Sequence, residues 1–316
     1  ILGTGSRVPR KVVTNDDLTE FLDTSDEWIY TRTGIRKRHV LTDETLLDLA
    51  VGSAEIALED AKTSPSEIGF VLAATMRGDT VTPSFAFCVA EKLGIAAPAF
   101  DVNAACVGVL YCMELADSLI STGKADKILI VSAEAMSKLV DWNDRASCVL
   151  FGDGSGAMVV GKGEGRLAGI LSGKPDSVSI RMPSFEGESR FNEIKAEKMV
   201  MHMDGQEVYK FAVNAMGHEI ENVCQKAGIE PAEVDWFLPH QANVRIVDAC
   251  QKKFKIEKSK VLMNIAEYGN MSATSIMVLL DEFAKKGTFH RGDKLLFVAF
   301  GGGLTSGALL IKWNKD

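Results

Sequence analysis

Cys106 stands in Asn103-Ala104-Ala105-Cys106-Val107-Gly108, after the apolar run Pro98-Ala99-Phe100-Asp101-Val102 and before an amphipathic stretch. The pattern predicts a strand, a turn of small residues and a helix opening at the thiol. Free backbone N–H groups and the helix dipole favour an anion there. They would lower the thiol pKa and favour the thiolate, the reactive form. Small neighbours would leave it open to a thioester carbonyl, so the chemistry is that of an acyl-accepting nucleophile. A buried structural thiol is the alternative reading, since free cysteine is among the most buried residue types.

Two more residues suit that chemistry. Of five histidines, His240 alone follows an apolar strand pattern and a proline and precedes the polar turn Gln241-Ala242-Asn243. Catalytic groups gather beyond the carboxyl ends of strands in open α/β sheets. Asn270 follows Gly269 in a loop. Together they could donate hydrogen bonds to a carbonyl oxygen that becomes an enolate, each such donor contributing about 3 kcal/mol. A capped surface histidine and an ordinary turn asparagine are the plainer readings. Gly301-Gly302-Gly303 adds a backbone that can approach an acyl oxygen closely, or simply a tight turn before the last strand.

The elements that must position these residues are duplicated. Pro65–Leu72 resembles Pro231–Leu238 at an offset of 166 residues, and Asp126–Val131 resembles Asp293–Val298 at 167. Two matches in one order at nearly one spacing predict two similar α/β lobes. Cys106 precedes Asp126 by 20 residues, as Ala273 precedes Asp293, so the Asn270 loop is the second lobe's counterpart of the nucleophile turn. Packed about a pseudo-twofold axis, the two turns would face each other and His240 would join them. The lobes are expected at 1–165 and 166–316, with a polar insertion at about 173–205. Thr42 is expected to cap the helix containing Leu46 to Leu58, and Val149-Leu150-Phe151 and Ala157–Val160 are expected to be strands.

Composition limits the function classes. At 46% hydrophobic and 25% charged residues, 316 residues can bury a large core. A net charge of −8 argues against nucleic-acid binding, and no apolar run reaches the roughly 18 residues of a membrane span. Six cysteines without a CxxC pair, and no signal peptide, argue for a reducing cytoplasm and against a disulfide framework or metal site. The opening Ile1-Leu2-Gly3-Thr4-Gly5 already reads as a strand and turn, so a short leader is expected to precede it.

Six motifs occur in order: Thr24–Ile35, Ala104-Ala105-Cys106, Phe151-Gly152-Asp153-Gly154, Pro239–Asn243, Tyr268-Gly269-Asn270 and Phe300–Gly303. The set resembles the beta-ketoacyl-acyl-carrier-protein synthase III family over essentially the whole chain. The resemblance implies an α/β thiolase-like fold with five αβαβα layers. It implies a condensing enzyme that starts type II fatty acid synthesis: Cys106 takes an acyl group from acyl-CoA, and malonyl-acyl-carrier-protein decarboxylates with its enolate held by His240 and Asn270. The Cys106 and Gly302 amides would hold the acyl oxyanion. The resemblance further implies CoA contacts at Thr24, Trp28, Arg32, Arg145, Gly205 and Asn243, with Trp28 and Arg145 sandwiching the adenine. Lys210, Arg245, Lys252 and Lys253 would receive the acidic acyl carrier protein, although a solvated helix face would read the same way. A homodimer is implied, and no metal or cofactor.

The chain departs from the family at three places. Met271 stands where threonine is usual, Leu304-Thr305-Ser306 where a tryptophan is common, and Thr82 where a bulky aromatic often closes the acyl pocket. The small Thr82 predicts tolerance of primers longer than acetyl. The alternatives are another thiolase-fold enzyme, a specialised-metabolism relative with the same triad, and a noncatalytic acyl-CoA-binding subunit. The Asn270 loop argues against the first, and the intact nucleophile against the last.

Overall fold

The computed structural model describes residues 1–184, 190–191 and 197–315. Strand β1 (Gly3–Arg7) is followed by β2 (Lys11–Thr14), helices α1 (Asn15–Leu18) and α2 (Asp26–Thr33), and β3 (Lys37–Val40). Then come α3 (Leu46–Asp60), β4 (Phe70–Ala74), α4 (Phe85–Leu93), β5 (Ala99–Val102), α5 (Gly108–Ser121), β6 (Lys127–Ala135) and β7 (Asp153–Gly161). The second half holds β8 (Arg166–Asp176), the short β9 (Ile180–Arg181) and β10 (His202–Met203), α6 (Gly205–Ala227) and β11 (Trp236–Pro239). It ends with α7 (Val244–Lys253), α8 (Ile265–Tyr268), α9 (Thr274–Lys285), β12 (Lys294–Gly301) and β13 (Gly303–Lys312).

The repeat is visible in the sheets. One sheet runs β1-β7-β6-β4-β5, the other β8-β13-β12-β11, so strands at matching places in the two halves hold matching places in the two sheets. Among the described residues only β5 lacks a full counterpart; Val261 bridges Phe237 in parallel at the equivalent edge. The two repeated segments open alike, with 3-10 turns at Pro65–Glu67 and Pro231–Glu233 before β4 and β11. Helix α3 covers the outer face of the first sheet, α6 that of the second, and α5 with α9 lies between them. Three apolar clusters match the three interfaces: Leu49, Val71 and Val89 outside, Leu110, Ile130, Leu279 and Phe297 at the centre, and Met216, Phe237 and Leu310 on the far side. A helix enclosed between sheets has no polar face to present, and Thr274–Asp281 of α9 are all buried.

Three local expectations change. Thr45, not Thr42, caps α3: its hydroxyl accepts the Asp48 N–H at 3.0 Å, and Asp48 returns a bond to the Thr45 N–H at 3.0 Å. That reciprocal pair needs an acidic residue three places on, which Thr42 lacks because Thr45 stands there. The run Val149-Leu150-Phe151 is not a strand: Cys148–Leu150 form a 3-10 turn, and Phe151 only bridges Asn270. A short apolar run signals burial but cannot choose between conformations. The polar stretch from 173 is regular at its start, because β8 extends to Asp176 against β13. The remainder of that insertion includes 185–189 and 192–196, which lie outside the described residues.

Candidate active site

Cys106 sits in a 3-10 turn, Ala105–Val107, that runs straight into α5. Its counterpart precedes α9. Ala105 has φ +45° and Ser272 φ +53°, both in the left-handed region that non-glycine residues rarely enter. They lie 167 residues apart, the offset of the repeat, so the same strained turn is built twice and the two copies face each other. The Ser272 hydroxyl donates to the Cys106 sulfur at 3.5 Å.

The thiol does not have the low pKa expected from its helix. Burial pushes it up to about 11, the Ser272 hydrogen bond opposes this in part, and nearby Glu134 adds to it. Desolvation penalises the charged form more than one helix terminus supports it.

Asn270 is held by backbone on both sides: its N–H donates to the Leu150 carbonyl at 2.8 Å, and its carbonyl accepts the Gly152 N–H at 3.1 Å. Its side-chain oxygen accepts the Ser272 N–H at 2.8 Å, which turns the NH2 end the other way, free to act as donor. His240 follows β11, its own N–H bound to the Val298 carbonyl at 2.7 Å. Its ring stands edge-on to Phe300 at 5.4 Å and is 1% exposed. Neither ring nitrogen has a hydrogen-bond partner. Burial lowers its pKa to about 4, with the Ser272 backbone a weaker opposing influence that lacks hydrogen-bond geometry. The imidazole is therefore neutral near pH 7, with one N–H to donate. Buried polar atoms are nearly always paired, so two orphaned nitrogens in one ring mark a place for a ligand.

The glycine loop closes over Cys106. A Cβ on Gly301 would stand 2.9 Å from the Cys106 nitrogen and 3.1 Å from its Cβ, so only glycine permits that approach. Gly302 is the turn between β12 and β13 and abuts Ala105. Ser272 thus gathers the predicted residues: it touches Cys106, anchors Asn270 and borders His240.

The outer residues divide. The Trp28 ring lies 4.8 Å from the Arg32 guanidinium and 4.9 Å from that of Arg145, so the three form one stack. Arg145 is tied to Asp23 through its carbonyl and carboxylate rather than to Asp144, which instead caps Ser147 and Ala146. The Thr24 hydroxyl is buried without a partner. Gly205 opens α6 with space around it, and Asn243 caps α7 through its side-chain oxygen. Lys210, Arg245, Lys252 and Lys253 are exposed on the neighbouring helices α6 and α7. Lys210 is paired with Glu207 at 2.7 Å and Lys253 donates to Asn214 at 2.8 Å. Thr82 is exposed on the loop before α4 and is not enclosed by this chain.

Sequence reasoning missed Ser272 and Glu134. Glu134 left a trace, as the one charge inside the apolar run Ile128–Ala135. Ser272 left none, because its importance lies in a contact across 166 residues.

Known proteins share this frame. The family model for 3-oxoacyl-[acyl-carrier-protein] synthase III matches residues 100–177, and the model for its C-terminal part matches 224–313. A beta-ketoacyl-[acyl-carrier-protein] synthase III of Desulfitobacterium hafniense is 45% identical over 325 residues, spanning 100% of this chain and 98% of the relative. The crystal structure of the 3-oxoacyl-[acyl-carrier-protein] synthase III of Aquifex aeolicus superposes with a TM-score of 0.92 at 42% identity, covering 99% of each chain. That of the Thermus thermophilus beta-ketoacyl-[acyl-carrier-protein] synthase III gives 0.93 at 39% identity, again covering 99% of each. The architecture is the thiolase-like one expected from the motifs. With this identity along its whole length and two like sheets that bring the Cys106 turn against the Asn270 loop, the chain belongs to the beta-ketoacyl-[acyl-carrier-protein] synthase III family.

Proposed function

We propose that Cys106, His240 and Asn270 carry the two half-reactions of this chain, an acyltransferase that performs the initiating condensation of fatty acid synthesis. In the first, the Cys106 sulfur forms a bond to the carbonyl of an acyl-CoA, the carbon–sulfur bond to CoA breaks, and the Cys106 and Gly302 amides hold the oxyanion. In the second, malonyl-acyl-carrier-protein loses carbon dioxide. The enolate oxygen takes hydrogen bonds from the neutral His240 ring and the Asn270 NH2 group, and the carbanion attacks the acyl-cysteine. The product is a 3-ketoacyl-acyl-carrier-protein. The orphaned His240 nitrogens carry this reading, since they are donors and acceptors left unpaired beside the nucleophile turn.

Trp28, Arg32, Arg145 and Thr24 would hold the CoA nucleotide. An adenine entering between Trp28 and Arg145 must part them, and Arg145 must give up Asp23. Gly205 and Asn243 would line the pantetheine path. The exposed cations of α6 and α7 would steer the acidic carrier protein. The small Thr82 would let the site tolerate primers longer than acetyl. The chain would act as a cytoplasmic homodimer without metal or cofactor. All six thiols are free, as in a reducing compartment, and no helix among the described residues is long and apolar enough to cross a membrane. The halves 1–165 and 166–316 would be two lobes of one site, the division falling where β8 opens at Arg166.

Intact mass after mixing with acetyl-, butyryl-, isobutyryl-, isovaleryl- and octanoyl-CoA tests the reading. A single acyl adduct on the wild type that disappears in Cys106→Ala is expected. No adduct with any primer, or an adduct that survives in Cys106→Ala, would overturn it.

A further inference from the structure

The buried carboxylates of this molecule are mostly occupied within the fold. Asp153 accepts the Leu41 and Ser137 N–H groups and the Ser137 hydroxyl, and Asp281 takes Thr4, Ser6 and Lys285. Glu219 is only half occupied. It is 4% exposed on α6, among buried neighbours that are otherwise apolar, such as Ala212, Met216 and Val223. One of its oxygens accepts the Ser306 hydroxyl of β13 at 2.8 Å. The other is buried and has no hydrogen-bond partner among the described residues. Buried polar atoms are nearly always paired, so this oxygen marks a missing donor. Glu219 and Ser306 line a cleft of about 420 Å³ between α6, the end of β8 and the start of β13, a size within the range of small-molecule sites. A Cβ on Gly173, on the β8 wall, would meet nothing within 4 Å. Phe211, Ala215 and Leu304 give the cleft an apolar side. Leu304 and Ser306 belong to the run that stands where a tryptophan is common, so the cleft is built where this chain departs from its family. At the rim Lys210 is matched by Glu207 at 2.7 Å, and Asp176 by the Val178 and Ser179 N–H groups and the Ser179 hydroxyl. Lys174 and His218 stand exposed on the same rim. Among the described residues no three His, Cys, Asp or Glu side chains gather to hold a metal ion, which leaves an organic molecule to bring the donor.

We propose that this cleft binds a primary alkylammonium ion, its N–H groups on the free Glu219 oxygen and its alkyl chain along Phe211, Ala215 and Leu304. The physical reason is the unbalanced carboxylate. Burying such a group is costly unless it is both hydrogen-bonded and paired with a charge, and one serine hydroxyl supplies no charge. An ammonium head brings three donors and the missing positive charge together. An anion would meet the like charge of Glu219. A neutral alcohol could reach the oxygen but would leave the charge unmatched. The short apolar wall suits a stem of a few methylenes. The cleft holds none of Cys106, His240 and Asn270, so the proposal stands whether or not those residues act as inferred above.

Isothermal titration of the full chain with n-butylammonium chloride at fixed ionic strength tests this, with 1-butanol and sodium butyrate as the neutral and anionic counterparts. Saturable binding of butylammonium at one site per chain is expected, with the alcohol and the carboxylate each weaker on the order of 10-fold or more, the scale of a lost charge-assisted hydrogen bond. Glu219→Gln keeps the shape and an oxygen for Ser306. It should weaken butylammonium on the order of 10-fold and erase its advantage over butanol. Ala215→Leu fills the cleft from α6 and leaves the carboxyl in place, so it should abolish binding, and it decides the matter if Glu219→Gln does not fold. Absence of saturable binding on the wild type would overturn the proposal. So would butanol binding as tightly as butylammonium, or a preference for the cation that persists in Glu219→Gln or in Ala215→Leu.

Discussion

At the scale of single residues, burial decides the charge states. Cys106 is pushed up to about 11 and His240 down to about 4, both by desolvation, so neither is charged near pH 7 in the folded chain. This has a consequence for stability. An exposed histidine titrates near 6.5, so between about pH 4 and 6.5 the unfolded chain binds a proton at His240 that the folded chain refuses. The contribution is fully present above about 6.5 and is lost as pH falls. The wild type should therefore lose about 2 kcal/mol more than His240→Gln between pH 7 and pH 5. Urea midpoints at the two pH values measure this, and parallel losses in the two proteins would refute it.

At the scale of elements, the site depends on one backbone crossing. The 3-10 turn Cys148–Leu150 and Gly152 grip Asn270 from both sides, and the buried Arg38 guanidinium braces that turn through the Val149 carbonyl at 2.8 Å. A Cβ at Gly152 would meet the Tyr268 carbonyl at 2.3 Å and Arg38 Cβ at 3.1 Å. Gly152→Ala must then shift the Asn270 loop while leaving the Cys106 turn in place. Acyl-adduct formation should stay within about threefold, while condensation with malonyl-acyl-carrier-protein falls on the order of 100-fold, the effect of losing one aligned donor. Rates of the two half-reactions measured separately check this. Equal losses in both would mean that the crossing supports the whole site rather than Asn270.

At the scale of the molecule, the first sheet ends in an open edge. Among the described residues strand β5 has a neighbour on one side only, and Phe100 on it and Phe87 on α4 are 38% and 49% exposed. An unpaired edge flanked by exposed aromatics is an association surface. Sedimentation should return a dimer, and Phe100→Lys should shift it toward the monomer. A monomeric wild type at micromolar concentration would remove the homodimer from the proposed function.

Much of this organisation is local in the chain. The Cys106 turn, the strand leading to His240, the Pro65 and Pro231 turns and the offset of the repeat are short-range patterns, and each element forms where its own residues demand it. The repeat even placed the Asn270 loop opposite Cys106, since two copies of one unit pack with like parts facing. Tertiary structure alone decided the rest. The thiol pKa is governed by how fully the folded chain excludes water from it, which outweighs the helix terminus that sequence reveals. Thr45 rather than Thr42 caps α3 because a reciprocal bond from Asp48 selects it. Ser272 and Glu134 acquire meaning only when β6, the Cys106 turn and the loop before α9 meet, and contacts across 166 residues of chain have no spacing or periodicity by which a sequence could announce them.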